Sequence, residues 1–67
     1  MHYVVGGVTY SGGHFYFEAA DENSLESTIQ STVCVVDYFG GGSVTVYEID
    51  EKTRDIRIVY FAGSEQG

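Results

Sequence analysis

The sequence predicts an α+β fold of order β-β-α-β-β, a four-stranded, mostly antiparallel sheet with one helix packed on one face. Three observations predict it. Two β-branched and aromatic runs flank Ser11-Gly12-Gly13 near the N-terminus. Two more flank Glu51-Lys52-Thr53-Arg54 near the C-terminus. Between the two pairs lies an apolar stripe at helical spacing.

The first strand runs from His2 to Tyr10 and is rich in Val, Tyr and Thr; the second runs from His14 to Ala20. A short glycine-containing loop between β-prone runs is a hairpin signal. In the second strand Phe15, Phe17 and Ala19 point one way and form the natural core face, opposite His14, Tyr16 and Glu18. Gly6 and Gly7 fall mid-strand, where they predict a bulge or a close approach by another backbone. Asp21-Glu22-Asn23-Ser24 then opens a helix, with Asn23 and Glu26 spaced as a loose capping box and acids placed at the positive end of the helix dipole. Leu25, Thr28, Ile29, Thr32, Val33 and Val36 make one stripe, and Gly40-Gly41-Gly42 ends it, so the helix spans about Asn23 to Tyr38. Cys34, Tyr38, Glu26, Gln30 and Asp37 face outward. Propensity argues against part of this element, because Val33 to Phe39 is β-branched and aromatic. A shorter helix followed by an extra strand is the alternative.

Ser43 to Asp50 and Asp55 to Phe61 form the second hairpin. In the last strand Ile56, Ile58 and Tyr60 alternate with Arg57, Val59 and Phe61, so both faces are partly apolar. Gly63 to Gly67 reads as a frayed tail. One helix covers only part of such a sheet, and the open face takes a share of Tyr3, Tyr16, Tyr47, Val59 and Phe61. Exposed aromatics on an open face are candidates for protein contact.

Sixty-seven residues make a single domain, 1–67, with a small core. The single cysteine, Cys34, permits no internal disulfide and fits a reducing, cytoplasmic setting. The N-terminus has no basic n-region with an apolar run, and no stretch reaches the ~20 apolar residues that span a bilayer. A soluble protein with no membrane partner is expected.

Charge is the most informative feature. Met1 to Glu51 contains no Lys or Arg but carries Glu18, Asp21, Glu22, Glu26, Asp37, Glu48, Asp50 and Glu51, and the formal net charge of the chain is −7. All three cations, Lys52, Arg54 and Arg57, fall in one short window. Three cations are too few to displace the counterions of a nucleic acid, which excludes direct nucleic-acid binding. The glycine runs do not match a phosphate loop. His2, His14 and Cys34 lack the paired spacing of a zinc site, and Asp50-Glu51 lacks the calcium-loop pattern, so neither a metal nor another cofactor is expected. Cys34 has no neighbouring cation or base in sequence to activate it. No catalytic residue is assigned, and a non-enzymatic role is expected.

Carboxylates without cations on a compact frame can be a solvated surface, or they can imitate a phosphate backbone and occupy a basic channel. The chain's length, its β-β-α-β-β order and its cation-free acidic run from Glu18 to Glu51 resemble the small acidic phage inhibitors of bacterial defence, the anti-CRISPR and anti-restriction proteins. The resemblance covers the whole chain and shares no motif. It implies stoichiometric inhibition of a nucleic-acid-binding host complex in the host cytoplasm, by mimicry at a basic protein surface. The candidate contacts are the eight acids above, with Tyr16, Tyr38 and Tyr47 as aromatic anchors. The basic window would then lie away from the mimic surface or touch an acidic part of the target. A structural or adaptor module that pairs with itself, as a homodimer, or with another protein through the open face is the second expectation. An enzyme using Cys34 and His14 is the third.

Overall fold

The computed structural model describes residues 1–63. It contains β1 (His2–Thr9), β2 (His14–Ala19), α1 (Glu22–Tyr38), β3 (Gly42–Asp50) and β4 (Asp55–Gly63), the predicted order. The strands form one sheet, β2-β1-β3-β4, and every neighbouring pair is antiparallel. β1 is therefore central, and α1 carries the chain across it from β2 to β3. The helix packs on β1, β2 and β3 and leaves β4 uncovered.

Alternation decides the two faces. Register aligns Tyr3 with Ala19 and Glu48, and Val5 with Phe17 and Val46, so these side chains face the helix. Tyr3, Val5, Ala19, Val44 and Val46 meet Val36 in the core, with Phe15, Leu25, Ile29 and Val33 packed around them. Val5 and Val46 are wholly buried. The predicted helical stripe is thus the packed stripe. Of its two polar members, Thr28 and Thr32, the second is also wholly buried, and its hydroxyl donates to the Thr28 carbonyl at 2.8 Å, which satisfies the group within the helix.

The helix ends are set by local chemistry. Asp21 is the N-cap, and its Oδ1 accepts from the Ser24 backbone N–H at 3.0 Å. The helix therefore starts just ahead of the expected Asn23, and Asp21 caps in place of the Asn23–Glu26 box. At the other end Gly40 and Gly41 adopt φ of 97° and 100°. Their N–H groups donate to the carbonyls of Asp37 at 3.0 Å and Val36 at 2.9 Å, the Schellman pattern that left-handed glycines permit. The β-prone residues Val33 to Tyr38 are helical, because Val33 and Val36 gain core contacts that outweigh propensity.

Two expectations about the strands are corrected. Gly6 and Gly7 pair regularly on both sides, and no bulge or approaching backbone sits there. Side-chain rings occupy the space instead: a Cβ on Gly7 would lie 2.5 Å from the Phe15 ring, and one on Gly6 would lie 3.0 Å from Tyr16. The bulge is in β4, where Val46 pairs with Tyr60 but Tyr47 pairs with Ile58, leaving Val59 as the extra residue. It breaks the expected alternation. Ile56 and Ile58 share the open face with Phe61, opposite Ile49, Tyr47 and Thr45, while Tyr60 turns to the helix side. Of the expected tail, Gly63 belongs to β4 and pairs with Ser43. Positions 64–67 lie outside the described residues. No helix among the described residues is long and apolar enough to cross a membrane.

Candidate functional site

The sheet order gathers acids at one end of the molecule. β1 begins there, β2 and β3 finish there, and the turn after β2 feeds the helix N-terminus. Glu18, Asp21, Glu22, Glu26, Glu48, Asp50 and Glu51 therefore share one end, joined by Asp55 of β4. Four of the predicted contacts are elsewhere. Asp37 and Tyr38 sit at the helix C-terminus, where Tyr38 is 82% exposed and stacks edge-on with Phe39 at 5.1 Å. Tyr16 and Tyr47 are on the open sheet face, flanking Gly6.

At the acidic end, the gap between α1 and uncovered β4 is a groove of about 410 Å³ lined by Tyr3, Glu22, Leu25, Glu26, Ile29, Glu48 and Val59. Three carboxylates edge an apolar floor. The helix brings Glu22, Leu25, Glu26 and Ile29 to one stripe, as i, i+3, i+4 and i+7 spacing requires. Tyr3, only 6% exposed, lies beneath them. Its phenol O–H faces Glu48 at 3.4 Å and Glu22 at 3.5 Å, so one hydrogen is shared between two carboxylates. Burial first, and then the negative charges of Glu22 and Glu48, push the Tyr3 phenol above its ordinary 10.0.

The sign of the pH dependence follows. A group whose folded pKa is raised holds its proton longer in the folded state, so its stabilising contribution is complete below the unfolded value and disappears as pH rises through the folded one. Wild-type protein is expected to lose stability as pH climbs past 10, and Tyr3→Phe is expected to flatten that decline. Urea midpoints at neutral pH and above pH 10 measure it; parallel declines in the two proteins would refute the assignment.

Two of the seven clustered acids are closely paired with cationic groups, while Asp21 and Asp50 accept backbone N–H groups and Glu22 faces the Tyr3 phenol. Glu48 accepts from Arg57 Nε at 2.8 Å, and its side chain is only 16% exposed. Glu51 binds the Met1 ammonium at 2.7 Å and the His2 ring, which also lies 3.6 Å from Glu18. The ammonium, and then His2, hold the Glu51 carboxyl at about 2, so it stays ionised throughout the ordinary pH range. The basic window is not segregated from the acids. Lys52 and Arg54 sit in the β3–β4 turn, which Asp50 Oδ1 organises by accepting from Lys52 N–H at 3.0 Å. Besides Glu51, the exposed acids of the end are Glu18, Asp21, Glu22, Glu26 and Asp55, and Asp50 is half-buried.

His14 and Cys34 are not brought together. Register places His14 on the open face of the sheet, and Cys34 is exposed on the solvent side of the helix, with the sheet between them. Among the described residues no group of three or more His, Cys, Asp or Glu side chains is placed to hold a metal ion. Sequence reasoning passed over Tyr3, Leu25, Ile29 and Val59 as site residues. Leu25 and Ile29 read as core from the helical stripe, whereas Tyr3 and Val59 are expected on the open face; register turns Tyr3 to the helix side, and the β4 bulge brings Val59 to the groove.

The fold and the groove define a small α+β domain with an acidic, apolar-floored cleft beside an uncovered edge strand. No protein-family model, curated protein or solved structure matches the chain.

Proposed function

We propose that this protein is a non-enzymatic inhibitor that occupies a basic, nucleic-acid-binding surface of a cytoplasmic host complex and stands in for the nucleic acid. The groove carries the reading. Carboxylates of Glu22, Glu26 and Glu48 above Leu25, Ile29 and Val59 suit a long cationic side chain, whose stem lies on the apolar floor while its head meets the acids. Asp21 and Asp50 extend the field around the groove and steer a cationic surface toward it, while Glu18 lies at the same end on the open face of the sheet. Lys52 and Arg54 meet acidic groups at the margin of the target. Tyr16 and Tyr47 lie off this surface and are not anchors for it.

The test is capture of a partner from bacterial lysate on the immobilised chain, followed by displacement of a labelled DNA duplex from the purified partner. Expected are stoichiometric loss of the duplex and binding that weakens steeply as salt is raised, because exposed charges act within a Debye length of about 10 Å at 0.1 M. A partner that keeps its duplex, or binding indifferent to salt, overturns the mimicry.

A further inference from the structure

We propose that the open face of the sheet is the docking surface for a second copy of this chain, the two sheets stacking face to face about a twofold axis. The surface is apolar where a solitary domain would be polar. Tyr16, Ile56, Ile58 and Phe61 are 61 to 65% exposed there, Val8 is exposed beside them, and Tyr47 lies partly buried at the centre. Contiguous exposed apolar side chains of this size mark an interaction site.

Charge selects the occupant. The β3 and β4 half of this face presents Ser43, Thr45, Tyr47, Ile49, Ile56, Ile58 and Phe61, with no ionised group, because alternation and the β4 bulge turn Glu48, Asp50, Asp55 and Arg57 to the helix side. A cationic partner has nothing to recognise there. A chain of net charge −7 meets its own like charge on most other approaches, and this half-face is where two copies can touch without opposing carboxylates. Glu18 and the histidines His2 and His14 stay at the β1 and β2 margin.

Area and shape agree. The 8, 6, 9 and 9 residues of β1, β2, β3 and β4, at about 3.4 Å per residue and about 4.8 Å between strands, give about 500 Å² for the whole face, of which the β3 and β4 half supplies about 300 Å². Two whole faces reach the roughly 1,000 Å² at which specific interfaces begin, so the contact extends from the uncharged half across β1 to Tyr16 of β2. Gly6 contributes to the fit. Lacking a Cβ, it leaves the Tyr16 and Tyr47 rings room above β1, so the face has no ridge at its centre. Stacked sheets with interdigitated apolar faces are a standard packing, and a twofold axis makes the patch its own complement. The dimer leaves the acidic groove free, because that groove is on the opposite side of the sheet.

Sedimentation equilibrium of the full chain tests this. The expected mass is twice the 7.4 kDa of one chain, undiminished by added salt. Ile58→Lys is expected to weaken the dimer on the order of 100-fold, since the twofold axis buries the new charge twice. Tyr16→Glu on the far strand serves as a second face variant, and circular dichroism reports whether each variant folds. Tyr60→Lys, on the same strand but facing the helix side, should leave the dimer intact. A wild-type monomer at high micromolar concentration overturns the proposal. So does a dimer that survives both face variants, or one that Tyr60→Lys breaks equally, which would indicate pairing along the β4 edge.

Discussion

Gly42→Ala is expected to destabilise the fold by about 3 kcal/mol or more, the largest effect of any single methyl addition considered for this chain. A Cβ at Gly42 would lie 1.8 Å from the Val8 carbonyl oxygen and 2.8 Å from Thr9 Cα. Both are backbone atoms of the central strand. Relief therefore needs β1 and β3 to separate where Thr9 pairs with Gly42, at the point where Tyr10 N–H also donates to Gly41 at 3.0 Å. No side-chain rotation avoids the collision. A domain of 67 residues has about 3 to 10 kcal/mol of stability at 0.05 to 0.15 kcal/mol per residue, so the substitution consumes a large share of it. Gly12→Ala is the natural comparison. Nothing lies within 4 Å of its Cβ, and only its φ of 97° penalises a side chain. That conformational cost is about 1 to 2 kcal/mol. Urea unfolding of the two variants separates collision from backbone strain. A Gly42→Ala loss no greater than that of Gly12→Ala would show that the strands can part freely.

That glycine shows why some of the molecule could be read in the sequence and some could not. The Leu25 to Val36 stripe, the three glycines after it and the β-prone runs around two turns are local signals, and each became the element they describe. Periodicity also separated Phe15 and Ala19 from Tyr16 and Glu18 correctly, because alternation in β2 is unbroken. The β4 alternation failed because one extra residue, Val59, carries no chemical marker in Ile-Arg-Ile-Val-Tyr-Phe, and the bulge exists only relative to β3. The N-cap was misplaced within Asp21-Glu22-Asn23-Ser24 because several capping residue types compete there and only geometry chooses among them. Strand order had the widest consequence. Putting β1 between β2 and β3 brings Glu22 of the helix and Glu48 of β3 to the same phenol, a meeting of residues far apart in sequence that no spacing rule anticipates. It also places Asp37 at the far end, although it belongs to the same cation-free run.

Reversing Glu22 and Glu26 together, Glu22→Lys with Glu26→Lys, is expected to weaken binding to a basic partner by about 100- to 1,000-fold while the domain stays folded. Truncating one member of a close interfacial charge pair costs about 2 to 5 kcal/mol, and reversal adds repulsion to the lost attraction. Each reversal removes one negative charge and adds one positive charge, so the pair takes the formal net charge from −7 to −3. Steering weakens with it, and the association rate should fall along with the affinity. Stability should change little by comparison. Both side chains are exposed; Glu22→Lys gives up the 3.5 Å contact with the Tyr3 phenol, which keeps Glu48, and a cation in the first turn loses a favourable helix-dipole interaction of about 0.3 to 1 kcal/mol. The cation that Glu22→Lys introduces would also face Arg57 near Glu48, which makes Glu26→Lys alone the gentler control. Reversing Asp37, at the opposite end of the helix, alters net charge without touching the groove and should reduce affinity far less. Affinities of the three variants at one fixed salt concentration distinguish a located site from a diffuse field. Equal losses per unit charge from Asp37→Lys and Glu26→Lys would mean that only net charge matters, and the groove would lose its role.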